Sequence, residues 1–184
     1  MDNDHATPAD ADAARHRRTV VVPPQEGRVI QAFGDGLQVK LDAAQTGGTM
    51  TVVLNTVPPH HGPPPHVHHA EDETFLVVEG TFEFMHPDGT WSAAVGPGGA
   101  AYTPRGVRHC FRNAGDAPAR AWIITTPSGF ETFFARCAEV FAAAGAAGGP
   151  PDMARIIAIS TEHGIEYVPP LGERSPPEVP PVAI

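Results

Sequence analysis

Between Thr19 and Thr125 the chain alternates short apolar runs with breaks of glycine, proline and aspartate. The runs are TVVV (19–22), RVIQAF (28–33), LQVKL (37–41), TMTVVLNTV (49–57), TFLVVEG (74–80), TFEFMH (81–86), TWSAAV (90–95), GAAYTP (99–104), HCFRN (109–113) and RAWIIT (120–125). LQVKL and TFEFM alternate with period two, as a strand with one buried face does. Turns are expected at Gly34-Asp35-Gly36, Pro87-Asp88-Gly89, Gly96-Pro97-Gly98-Gly99 and Ala114-Gly115-Asp116. Short strands at this spacing predict an all-β sandwich or barrel, most simply a small jelly roll.

Helical periodicity begins only later. Phe130, Phe133, Phe134, Cys137, Val140 and Phe141 fall on one helical face. Ser128-Gly129-Phe130-Glu131 before them matches a capping box, in which the serine oxygen accepts from the glutamate amide and the glutamate reaches back. Gly145 is expected to end that helix. Asp152 starts a second, DMARIIAISTEHG, which Gly164 closes as a left-handed cap. The organisation predicted is a mobile N-terminal arm (1–18), a β barrel with its first trailing helix (19–145), and a short helix with a proline-rich tail (146–184). The phenylalanine face of 130–141 suits packing on the barrel and packing on a second copy equally well.

Composition narrows the class without changing the fold. A chain of 184 residues with 19 glycines and 21 prolines suits one β-rich domain. The net charge of −9 leaves no basic stripe for nucleic acid. No run approaches the roughly 20 apolar residues of a membrane helix, and no secretory signal is visible at the N-terminus. The two cysteines, Cys110 and Cys137, fit reduced thiols of a cytoplasmic protein.

The chemistry concentrates in HHGPPPHVHHAEDE, residues 60–73. His66 and His68 are two apart, so on a strand both imidazoles face one side. Pro63 to Pro65 hold the approach extended. Glu73 follows at the start of the next run, with Glu71 and Asp72 as competing carboxylates. His109 is distant in sequence, but the strand order can bring it across the barrel. Such a mixed nitrogen and oxygen set suits a borderline divalent ion: iron, manganese, nickel, cobalt, copper or zinc. His69 faces away from His68, while His60 and His61 are expected at the barrel opening, as solvated loop residues or as proton carriers. Phe82, Phe84 and Phe111 are expected to line the barrel, as core or as substrate pocket. Tyr102 is a candidate hydroxyl for substrate. Cys110 alternates away from His109 and is not a nucleophile candidate.

These residues carry a resemblance. His66-Val67-His68, four residues, Glu73, six residues and Gly80 follow the first motif of the cupin superfamily. Gly98, five residues, Pro104-Arg105-Gly106, two residues, His109, three residues and Asn113 match each fixed place of the second. One departure is His60, where the first motif has glycine; Gly62 is the expected substitute in the turn. The phrases GPPPHVHHAEDE, PRGVRHCFRNAGD and TPSGFETFF also resemble single-domain quercetin 2,3-dioxygenase-like (cupin type 2) proteins. The resemblance implies a cupin jelly-roll barrel, or double-stranded β-helix, with two short C-terminal helices. It further implies one divalent transition metal on His66, His68, Glu73 and His109, a catalytic role for Glu73 as proton acceptor, a small-molecule substrate and a homodimer. Three functions follow as expectations: a dioxygenase using O2 on a small enolisable or hydroxylated aromatic compound; a non-redox isomerase, cyclase or lyase; and a non-catalytic binding cupin.

Overall fold

A computed structural model describes residues 18–169. The expected N-terminal arm and the proline-rich tail fall almost wholly outside the described residues. In chain order the elements are β1 (Arg28–Ala32), β2 (Asp35–Leu41), α1 (Ala43–Thr46), β3 (Thr51–Val57), β4 (His66–His68), β5 (Asp72–Glu79) and β6 (Phe82–Met85). There follow β7 (Ala100–Thr103), β8 (Cys110–Asn113), β9 (Ala119–Thr126), α2 (Phe130–Ala147), α3 (Met153–Glu162) and β10 (Ile165–Tyr167).

Six strands form one sheet in the order β1-β2-β3-β9-β5-β7, antiparallel throughout. The pairs β10-β4 and β8-β6 make a second layer, joined where His66 bridges His109 just ahead of β8. Alternation along each strand then decides the core. Phe75, Val77, Ala121 and Ile123 from the first sheet meet Phe82 and Phe111 from the second. Phe75 packs 5.1 Å from Phe111 and 5.2 Å from Phe84, ring centre to ring centre. Burial of these rings, worth about 1.5–3 kcal/mol each, holds the two layers face to face as a jelly roll.

The phenylalanine face of α2 covers its own barrel. Phe133, Phe134 and Phe141 surround Phe33 at 5.9, 6.4 and 5.1 Å, and Cys137 is fully buried among them. Burial pushes the thiols of Cys110 and Cys137 up to about 11, so both stay protonated at neutral pH. α2 runs two residues past the expected boundary at 145, and β10 returns beyond it to pair with β4. No helix of the described residues is long and apolar enough to cross a membrane.

Several local expectations are corrected. TVVV makes no strand: it runs into Pro23-Pro24, and those prolines and Glu26 serve instead as carbonyl acceptors for Lys40 Nζ. TWSAAV supplies only bridges at Trp91 and Val95. Gly145 lies within α2, which ends instead on Gly148 in the left-handed conformation. The capping box does not form, since α2 starts on Gly129 with no side-chain cap. The Glu131 carboxylate is committed elsewhere: it accepts from Thr51 Oγ1, from the amide of Ala43 at 3.0 Å and from that of Gly129 at 3.1 Å.

Glu131 thereby ties α1, β3 and the start of α2 together from a buried position. Burial opposes its ionisation, but the donors from Thr51 and from backbone amides, those of Ala43 and Gly129 among them, outweigh it and lower its pKa. Stability from such a depressed carboxylate is present above the unfolded value near 4.5 and is lost as pH falls through the folded value. Glu131→Gln is expected to cost about 2 kcal/mol at pH 7, through one acceptor replaced by a donor. The loss should shrink toward pH 4; urea unfolding at the two pH values checks both statements.

Candidate metal centre

His66 and His68 sit on β4 with both side chains inward, as their two-residue spacing predicts. His109 approaches from the neighbouring strand through its bridge to His66, and Glu73 faces them from β5 in the opposite sheet. The structure thus brings together four residues from three chain segments. One ligand atom from each lies within 4.8 Å of every other, and all four side chains are buried.

Backbone carbonyls fix the imidazoles. A carbonyl can only accept, so His66 Nδ1–H donates to Pro64 O at 2.8 Å and His109 Nδ1–H donates to Val107 O at 2.9 Å. His68 Nδ1 is held 3.3 Å from the Glu71 carboxylate. In each ring the bond at Nδ1 leaves the Nε2 lone pair for the centre. The test of whether a cation fits is what those lone pairs meet. His68 Nε2 is buried with no hydrogen-bond partner. His109 Nε2 lies 3.0 Å from Glu73 Oε2, a contact between two acceptors unless a proton or a cation joins them. Three imidazole nitrogens and one carboxylate oxygen, with an orphaned nitrogen among them, fit a divalent transition metal.

The electrostatics point the same way. Burial drives the His66 pKa down to about 3, assisted by the neighbouring imidazoles of His109 and His68, so this ring is neutral at pH 7. Burial opposes charge on Glu73, but the hydrogen bond with His109 and the surrounding imidazoles outweigh it and lower its pKa. For His68 burial works downward, and the Glu71 hydrogen bond with the Glu73 and Glu71 charges outweighs it, so the pKa is raised. A metal ligand must be neutral imidazole, so the proton on His68 competes with the metal. Metal affinity is therefore expected to fall as pH drops through the raised His68 value, while His66 and Glu73 are already in their binding forms. Calorimetry of cobalt(II) binding in two buffers of different ionisation enthalpy should show more proton release at pH 6 than at pH 8.

The competing carboxylates are placed elsewhere. Asp72 points outward, and its pKa is lowered by its bonds from the Arg105 guanidinium at 3.0 and 3.2 Å. Glu71 stands behind His68 as its Nδ1 acceptor. His69 is exposed and pairs with Glu166 at 2.8 Å. Phe82 and Phe111 are buried and Phe84 half-buried; Phe75, Phe84 and Phe111 pack together one step along their strands from the centre, while Phe82 lies a step further, in register with Asn113. Phe130 closes the other side, its ring 5.1 Å from that of His68. Tyr102 does not join the pocket. It pairs with Thr74 on the outer face of the sheet, one residue out of phase with the inward Glu73 and Phe75, and is 63% exposed.

Residues 53–125, which hold all four side chains, match the family model described as Cupin domain. The chain carries a cupin domain. No curated protein matches the sequence significantly. Among solved structures, KdgF from Halomonas sp. is similar, with a TM-score of 0.54 and 17% identity over 62% of this chain and 99% of that one. The polyketide cyclase RemF from Streptomyces resistomycificus has a TM-score of 0.52 and 22% identity, over 60% and 79% of the two chains. A predicted oxalate decarboxylase from Thermotoga maritima has 0.51 and 18%, over 59% and 99%. At such identities the likeness concerns the fold.

In this cupin the unusual His60 adopts the left-handed backbone, φ 58°, that suits glycine at this place. Gly62 does not take over that turn. It is needed for close approach, since a Cβ there would lie 2.0 Å from the Phe111 carbonyl. His60 bonds the exposed Asp116 at 3.0 Å, and His61 bonds Asp35 at 3.1 Å while its carbonyl accepts from the Asn113 amide. Asn113 is four residues along the strand from His109, so both histidines sit toward the far end of the barrel from the metal ligands.

Proposed function

We propose that this cupin is a metal-dependent dioxygenase that cleaves a carbon–carbon bond in a small enolisable or hydroxylated aromatic compound. The observation that carries the reading is the buried cluster of His66, His68, Glu73 and His109, with the Phe130 ring 5.1 Å from that of His68 and the packed rings of Phe75, Phe84 and Phe111 next along the strands. These four residues would hold one divalent transition metal: iron, manganese, nickel, cobalt, copper or zinc. When bound, such an ion supplies Lewis acidity toward a substrate hydroxyl and, if redox-active, a route for dioxygen.

The chain's own residues supply the rest. Glu73, held ionised and buried, is the proton acceptor. The substrate O–H bond breaks, its electron pair stays on the substrate oxygen, and the proton passes to the Glu73 carboxylate. His109, 3.0 Å from Glu73 Oε2, orients that carboxylate. Phe75, Phe84 and Phe111 exclude water and favour an apolar ring over a hydrated, highly charged substrate.

The second reading keeps metal and proton transfer but uses no oxygen, as an isomerase, cyclase or lyase. The polyketide cyclase RemF is an example of a protein of this fold with a non-oxygenase name, and the same buried cluster could serve such chemistry. A non-catalytic binding cupin is the third, and would retain metal without turnover. Elemental analysis of freshly purified protein comes first, followed by anaerobic mixing with candidate substrates and measurement of oxygen uptake. Stoichiometric uptake is expected; none with any reconstituted metal refutes the dioxygenase, and full turnover with zinc under nitrogen selects the second reading. A homodimer is proposed on the family resemblance alone, and light scattering tests it.

A further inference from the structure

Among the described residues five buried side-chain polar atoms have no hydrogen-bond partner: Asn55 Oδ1, His68 Nε2, Arg108 Nε and Nη1, and Thr125 Oγ1. Two of these belong to the layer of the barrel that holds the metal ligands. His68 Nε2 is one, and its missing partner is the metal. Thr125 Oγ1 is the other. Thr125 is 1% exposed and lies in register with Glu73 on one side and with Thr51 on the other, all three facing inward. Directly opposed residues on adjacent strands bring their Cβ atoms to roughly 5 Å, so Thr125 stands immediately beside the carboxylate ligand.

Its polar neighbours are engaged elsewhere. The Thr51 hydroxyl donates to Glu131 and accepts from the Gly129 amide at 3.2 Å. Glu131 is occupied by Thr51, Ala43 and Gly129. Glu73 Oε2 is turned to His109. A hydroxyl buried without a partner costs stability that a valine of the same shape avoids. Thr125 therefore carries a group that does nothing for the fold, in the same layer as a nitrogen that waits for the metal.

We propose that Thr125 is the substrate-contacting hydroxyl of the centre, donating to an oxygen of an enolate or phenolate ligand held there. This rests on the proposed function, which supplies the ligand class, and adds to it a specificity determinant. A donated hydrogen bond strengthens as the ligand oxygen gains negative charge, so Thr125 favours the deprotonated oxygen that Glu73 produces.

The test uses the full-length protein loaded with cobalt(II), with acetylacetone as the probe, followed through the visible cobalt spectrum. Thr125→Val is expected to weaken acetylacetone binding about tenfold. Cobalt(II) affinity should stay within about threefold and the metal-free melting temperature should not fall, while Thr125→Ser should recover most of the lost affinity. If the wild-type protein binds cobalt(II) but not acetylacetone, the proposed substrate class and this inference both fail. If it binds acetylacetone and Thr125→Val binds it equally well, this inference alone fails. A drop in melting temperature or in cobalt(II) affinity for Thr125→Val also overturns it, by assigning the hydroxyl to the fold or to the metal.

Discussion

His109→Ala is expected to fold and to lose metal binding by at least about a thousandfold. Three effects add. One of three nitrogen donors disappears. The link between the second sheet and Glu73, the 3.0 Å contact to Oε2, is broken. Glu73, buried and deprived of its hydrogen bond to His109, then holds a proton more tightly, and that proton competes with a cation. The fold should survive because the bridge from His66 to His109 is made by backbone, the amide of each bonding the carbonyl of the other at 2.9 Å. The measurement is thermal unfolding with and without excess zinc. Wild-type protein should melt higher with metal, since an ion that binds only the folded state stabilises it. His109→Ala should melt at one temperature whether zinc is present or absent. A zinc-dependent rise in the variant comparable to wild type would remove His109 from the ligand set.

That four residues from three segments could be named beforehand reflects how the jelly roll works. Side-chain alternation fixes which face His66 and His68 share, and the second histidine motif fixes where His109 leaves its turn, so neither depends on loop geometry. The same alternation would have excluded Tyr102, because it is one residue out of phase with Ala101 and Thr103 opposite Phe75 and Glu73. That conclusion needs the register of β5 against β7, which no local pattern gives. Glu131 failed for a related reason. Its spacing from Ser128 satisfies a capping box, yet Thr51 and Ala43, 80 and 88 residues away in sequence, offer donors that a solvated helix end lacks. Thr125 had no local signal at all: a threonine in a strand is ordinary, and only its burial without a partner beside Glu73 sets it apart. Strand β10 was missed because IEY is too short for a pattern, and its pairing with β4 depends on α2 and α3 carrying the chain back.

Glu71 is the residue whose role the sequence left most open, and its replacement should show the difference between holding a metal and holding a ligand. Glu71 Oε1 lies 3.3 Å from His68 Nδ1, and both side chains are buried. A carboxylate behind an imidazole fixes the tautomer, aims Nε2 inward and raises ligand basicity, and its loss typically costs 10–100-fold in metal affinity. Glu71→Ala is accordingly expected to weaken cobalt(II) binding about thirtyfold at pH 7. Glu71→Gln, which keeps an acceptor but not the charge, should lose only a few-fold. Because Glu71 contributes most to raising His68, either variant lowers the pKa of that imidazole. The proton then competes less, and the deficit in metal affinity should narrow as pH falls from 7 to 6. Above all, the visible spectrum of the cobalt(II) protein should keep its band positions and intensity in both variants, since the donor set is unchanged. A changed spectrum in Glu71→Ala, with wild-type bands in Glu73→Ala, would exchange the two roles and place Glu71 on the metal.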